Sequence, residues 1–185
     1  MILDPFPLPD SAVAPDHGPD HLHELRPDLA WKRCAIANVV FLGHPAGPWI
    51  LVDAGISGFA GAIVDAAKDR FGDRPPEYVF LTHGHFDHVG SLESLLKTWP
   101  VPVLAHPAER PFLDGTAHYP PPDTYAGGGL MPKLAPLFPR GPIDVEDRLR
   151  DLTTDRLPGF PDWRIVETPG HTPGHVALFR EADRT

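Results

Sequence analysis

Four side chains able to bind metal fall within one short run of this chain: His83, His85, Asp87 and His88 in Thr82-His83-Gly84-His85-Phe86-Asp87-His88. Imidazole nitrogens bind zinc at about 2.0–2.1 Å. Residues two apart in extended backbone project to the same side, so His83 and His85 can converge on one ion. Gly84 between them leaves room for a tight bend. Asp87 and His88 open a predicted helix, where an acidic residue also suits the N-terminal dipole, and they can turn toward a second ion. Asp87 alone would be an ordinary helix N-cap and His88 alone an ordinary first-turn residue. Three histidines at a strand end bring no capping or packing advantage, so the cluster as a whole points to metal.

A second segment supplies the missing ligand. Thr168-Pro169-Gly170-His171-Thr172-Pro173-Gly174-His175 predicts a rigid turn, because its prolines fix corners and its glycines accept positive φ. His171 at its centre is held in one orientation, as a metal ligand requires, and completes a three-histidine site. His175 begins the following strand and stays outside that ligand set.

The elements that must position these residues are readable from hydrophobic pattern. Residues 1–30, rich in proline, read as an irregular lead-in. Cys34 to Leu42 and the run WILVDAG read as two paired strands. Between Gly58 and Phe71 the apolar residues recur at helical spacing, with Gly72 placed as a C-terminal cap. Tyr78 to Thr82 predicts a strand, Val89 to Trp99 a helix and Val101 to Ala105 a further strand: a βαβ unit, hence parallel strands. Residues 107–160, with YPPPDTYAGGG and LFPRGP, read as an insertion or lid in which His118, Tyr119 and Tyr125 would touch substrate. WRIVET and HVALFR predict two strands joined by the PGHTPG turn. His17, His21 and His23 in the lead-in are expected to be solvated, His106 to have a packed or surface role, and Cys34 to be a buried, inert thiol.

Composition narrows the function classes. A chain of 185 residues with 42% hydrophobic and 22% charged residues suits one globular domain with a real core. The formal charge of −9 lacks the clustered Lys and Arg that a nucleic-acid surface needs. No apolar run reaches membrane-spanning length. The single cysteine cannot close an internal disulfide, and the first residues do not resemble a signal peptide, so a cytoplasmic location is expected.

The HGHFDH run and the ETPGHTPGH turn, in this order, resemble the metallo-β-lactamase superfamily, and the early strands ending in LVDAG, with Asp53, extend the likeness over most of the chain. The resemblance implies an α/β fold, a four-layer αβ/βα sandwich with metal at one edge. It also implies that His83, His85 and His171 bind a first metal, that Asp87 and His88 bind a second, and that Asp53 supports the site from beneath. Zinc is the expected ion, in one or two copies, with iron or manganese also compatible with imidazole and carboxylate donors. The implied activity is hydrolysis of an ester, lactone, thioester or amide of a small molecule by a metal-activated water, with Asp87 as the proton-handling residue. Two other readings accompany it: an iron oxygenase of the same superfamily, and a metal-binding remnant or subunit without turnover. Members of this family normally continue into a strand ending in Gly-Asp, whose Asp bridges both metals, and later supply one more His. This chain ends at Thr185, so the expectation is a C-terminally incomplete domain, either a truncated product or one completed by a second copy or another chain.

Overall fold

The computed structural model describes residues 21–120 and 143–185. Its larger sheet has seven strands in sequence order: β1 (Leu22–Arg26), β2 (Leu29–Cys34), β3 (Ala37–Gly43), β4 (Trp49–Val52), β5 (Val79–Phe80), β6 (Val103–Ala105) and β7 (Leu149–Asp151). Strands β1 to β4 form an antiparallel meander, whereas β4 to β7 run parallel. The smaller sheet holds β8 (Arg156–Leu157), β9 (Phe160–Glu167) and β10 (Val176–Arg180), all antiparallel. Among the described residues, four α-helices join them: α1 (Ala60–Phe71), α2 (Phe86–Val89), α3 (Leu92–Thr98) and α4 (Arg110–Leu113). Among the described residues, no helix is long and apolar enough to cross a membrane.

Period-two alternation sorts each strand between two cores. Val39, Phe41, Leu51, Val79 and Val103 face α1 and α3, meeting Ile63, Ala67, Phe71, Leu92 and Leu95. Leu42, Ile50, Val52 and Phe80 point the other way, against Leu157, Trp163, Ile165 and Val176 of the smaller sheet. The layers therefore run helices, sheet, sheet, in the order the sandwich reading expects. Polar ties span the two sheets: the Tyr78 hydroxyl donates to the Pro158 carbonyl at 2.7 Å. Arg180 pairs with Asp28 and Asp183 while its guanidinium lies 4.5 Å from the centre of the Trp163 ring. Ile63 is fully buried between α1 and the large sheet. Removing one methylene from it in Ile63→Val should lower stability by about 0.5–1.5 kcal/mol, read as a lower urea midpoint at unchanged slope.

Several sequence expectations are corrected. The lead-in is not irregular from residue 22 onward. Pro27 and Asp28 form the turn between β1 and β2, and His23, expected in solvent, is buried and stacked on Trp31 with ring centres 4.3 Å apart. Residues 1–20, His17 among them, lie outside the described residues. The run Cys34 to Leu42 is not one strand, because Ala35 takes φ 59° and turns the chain between β2 and β3; an apolar run alone cannot show such a turn. The helix expected over Val89–Trp99 is divided between α2 and α3 around Gly90. A Cβ there would stand 2.4 Å from the Ser57 nitrogen, so Gly90 lets loop 56–57 press against the helix break. The stretch 107–160 carries α4, β7 and β8 among its described residues, and Tyr125 lies outside them. Other expectations hold. α1 ends at Gly72 with φ 68°, β5 and β6 pair in parallel, and Cys34 is buried, with burial raising its thiol pKa to about 11.

Candidate metal centre

The parallel strands bring the site together. In such sheets, groups that bind ligands collect beyond the carboxyl ends of the strands. Here Asp53 follows β4, the Thr82–His88 run follows β5 and His106 follows β6. The turn between β9 and β10 closes over this edge, fastened by the Val176 N–H on the Thr82 carbonyl at 3.1 Å.

Among the described residues, His83, His85 and His171 form a group whose ligand atoms all lie within 4.8 Å of one another. His85 Nδ1 and His171 Nε2 are 3.0 Å apart. Two tetrahedral ligands at 2.0–2.1 Å from one zinc would be about 3.3 Å apart, so this spacing suits a shared ion. His83 Nε2 is buried without a hydrogen-bond partner, a costly arrangement for a polar atom unless something binds it. The donor set therefore fits a divalent transition metal.

Asp53 organises the rings. Its backbone sits at φ 61°, a conformation that Asp tolerates better than most residues. Its carboxylate accepts the Thr82 N–H at 2.8 Å, the Thr82 hydroxyl at 2.9 Å and His88 Nδ1 at 2.7 Å. A carboxylate only accepts, so His88 carries its proton on Nδ1 and turns Nε2 outward. The Thr82 hydroxyl spends its proton on Asp53 and so accepts from His83 Nδ1, 3.1 Å away, which leaves the lone pair on the orphaned Nε2. Asp53 thus orients His88 directly and His83 through Thr82, beneath the site and without joining the three-histidine group.

Asp87 and His88 stand side by side, His88 Nε2 lying 3.6 Å from an Asp87 oxygen, but the three-histidine group does not include them. His175 also stays outside that group. Its Nδ1 pairs with the Thr168 hydroxyl at 2.7 Å, although its ring centre is 5.0 Å from that of His83. His106 caps the following turn through the Ala108 N–H, and His118 is exposed. Tyr119, expected on a lid, is buried instead. Its hydroxyl accepts the Gly84 N–H at 2.9 Å and donates to Glu109. Glu109 itself was not among the sequence candidates, yet it is fully buried against both histidine segments.

The three rings of the group, His83, His85 and His171, repel protons. Burial, followed by the neighbouring His88, His85, His171 and His175, lowers the His83 pKa to about 2. Burial and then His171 lower that of His85; burial and then His175 lower that of His171. Burial also opposes charge on His88, but the Asp53 hydrogen bond and the charges of Asp53 and Asp87 raise its pKa overall. In metal-free protein the unfolded chain takes up a proton at His83 near pH 6.5 while the folded chain does not, so acidification favours unfolding. His85 and His171 act in the same direction. His88 acts oppositely, its contribution being lost as pH rises through its folded value. Thermal unfolding in chelator should therefore show the melting temperature falling from pH 7 to pH 5, and falling less in His83→Ala. An equal fall in both proteins would contradict this origin.

The family model described as the metallo-beta-lactamase superfamily matches residues 33–185. The probable metallo-hydrolase YflN of Bacillus subtilis is 45% identical over 153 residues, covering 80% of this chain and 58% of that protein. The probable metallo-hydrolase YybB of the same organism is 33% identical over 135 residues, 73% of this chain and 53% of its own length. The chain thus spans little more than half the length of these curated relatives. Among solved structures, metallo-beta-lactamase SMB-1 bound to 2-mercaptoethanesulfonate aligns with TM-score 0.65 at 21% identity, covering 85% of this chain and 57% of that one. BJP-1, a subclass B3 metallo-beta-lactamase of Bradyrhizobium japonicum, aligns with TM-score 0.61 at 23% identity, covering 86% and 56%. At these identities the structural likeness establishes the fold.

Proposed function

The chain belongs to the metallo-beta-lactamase superfamily, and from that premise we propose that it is a metal-dependent hydrolase acting on an ester, lactone, thioester or amide through a metal-activated water. The observation that carries this reading is the convergence of His83, His85 and His171 within 4.8 Å, with His83 Nε2 buried and unpartnered. His83, His85 and His171 would hold the first ion, and Asp87 with His88 would contribute to a second, zinc being the ion this donor set suits best. When bound, such an ion polarises a carbonyl and brings the pKa of a coordinated water to about 7.

The chain's own groups have separate roles. The neutral state of His83, His85 and His171 keeps their lone pairs available at pH 7 without a proton to displace. Asp53 and Thr82 fix ring orientation. Asp87 is partly exposed beside His88, and its negative charge acts on both His85 and His171. This exposure and charge support a role for Asp87 in accepting a proton from an attacking water and returning it to the leaving group. No serine or cysteine nucleophile is required, and Cys34 is buried in the core. The test is a panel of small lactones, thioesters, esters and amides offered to the zinc-loaded chain. Turnover of at least one class that stops on chelation and returns with zinc is the expected result. Full metal loading with no turnover of any class would contradict the hydrolase reading while leaving the metal centre intact.

A further inference from the structure

Glu109 is fully buried in the turn between β6 and α4. One carboxylate oxygen accepts the Gly84 N–H at 3.0 Å, and the other accepts the Gly174 N–H at 2.7 Å. Gly84 lies between His83 and His85, and Gly174 lies in the turn that carries His171. These two segments are far apart in sequence and belong to different sheets, so their relative placement sets whether three rings reach one ion. The Tyr119 hydroxyl donates to the same oxygen that Gly84 uses while accepting from the Gly84 N–H, and Tyr119 stacks on Phe112 of α4 with ring centres 3.9 Å apart. The carboxylate is therefore held on the helix side by packing and on the site side by both histidine segments.

We infer that Glu109 is a positioning residue that clamps the His83–His85 segment and the His171 turn into one metal-binding frame. The inference rests on the metal-centre reading above. A carboxylate can accept on both oxygens at once, whereas an amide presents one acceptor and one donor. Glutamine at this position keeps the shape but turns an N–H toward one of two backbone N–H groups, releasing either segment. The negative charge of Glu109 also acts on His85 and His171 in the direction that favours a cation between them. The two glycines fit the same account. A Cβ on Gly174 would stand 2.8 Å from His106 Nδ1 and 2.9 Å from Glu109 Cγ, and one on Gly84 would stand 2.6 Å from the Tyr119 hydroxyl. Side chains at either place would wedge the clamp open.

The test compares wild type, Glu109→Gln, Gly174→Ala and Phe71→Leu, the last a core change at the end of α1, where Phe71 stacks on Trp49 at the opposite end of β4 from Asp53. Zinc affinity is measured by chelator competition, the cobalt-loaded proteins are examined by visible absorption, and the metal-free proteins are melted. Glu109→Gln and Gly174→Ala should weaken zinc binding roughly 10- to 100-fold, the range for groups that orient metal ligands, and alter the cobalt spectrum. Phe71→Leu should lower the melting temperature while leaving zinc affinity within about twofold, as expected of a distant site. Where Glu109→Gln does not fold, Gly174→Ala carries the test, since it keeps the carboxylate and displaces it. Zinc affinity and cobalt spectra unchanged in both site variants would overturn the clamp while leaving the metal centre standing. No zinc binding by wild type would overturn the metal-centre reading and the clamp with it.

Discussion

Replacing His83 and His85 together by alanine should abolish zinc binding and lower any zinc-dependent hydrolysis by roughly a thousandfold or more, because the ion that supplies the acidic water is gone. The fold should survive. In the metal-free state His83 Nε2 is a buried nitrogen without a partner, and its neutral ring is crowded by four other histidines. Removing it relieves a polar burial cost that partly offsets the lost packing. The informative measurement is thermal unfolding with and without zinc. Wild type should gain about 2.7 kcal/mol at a free zinc concentration a hundred times its dissociation constant, and the double variant should gain nothing. Equal zinc stabilisation of both proteins would place the ion elsewhere.

The second large effect is expected at Asp53, which binds no metal in this account. Asp53→Ala leaves the Thr82 N–H, the Thr82 hydroxyl and His88 Nδ1 without their acceptor at a buried position. Each unsatisfied buried group costs about 1–3 kcal/mol. With partial relief by water, a total near 2–4 kcal/mol is expected, together with roughly 10- to 100-fold weaker zinc binding because two rings lose their orientation. Asp53→Asn separates the two effects. Asparagine tolerates the positive φ and keeps one acceptor oxygen, so stability should fall less, while its amide cannot accept from both Thr82 and His88 and zinc binding should still weaken. If Asp53→Asn binds zinc as wild type does, the orienting role is wrong even where Asp53→Ala is unstable.

The sequence revealed the centre and its frame unevenly, for physical reasons. The His83–His88 run and the His171 turn were legible because their residues are close in sequence and carry one chemistry. The parallel βαβ unit was legible because a strand, helix and strand in close order admit few arrangements. Strand ends were less so: the turn at Ala35 and the break at Gly90 are set by what packs against them, which local composition does not encode. Glu109 was hidden by the same cause. It follows His106-Pro107-Ala108 in a stretch that reads as irregular, and a lone acid there looks like surface. The usable signal was its place just beyond β6, a parallel strand adjacent to the one carrying the histidines, where side chains are drawn toward the strand-end edge. Tyr119 was singled out but misplaced for the converse reason. An aromatic in a proline-rich stretch suggests a mobile loop, yet its ring stacks on Phe112 and lies 4.4 Å from His85, centre to centre.

The most direct measurement is elemental analysis of the purified chain after zinc loading and removal of free ion, with the His83→Ala, His85→Ala double variant treated identically. At least one zinc per wild-type chain and none above background in the double variant is the result expected from three converging imidazoles. Wild type carrying no more metal than the double variant would contradict the metal centre itself.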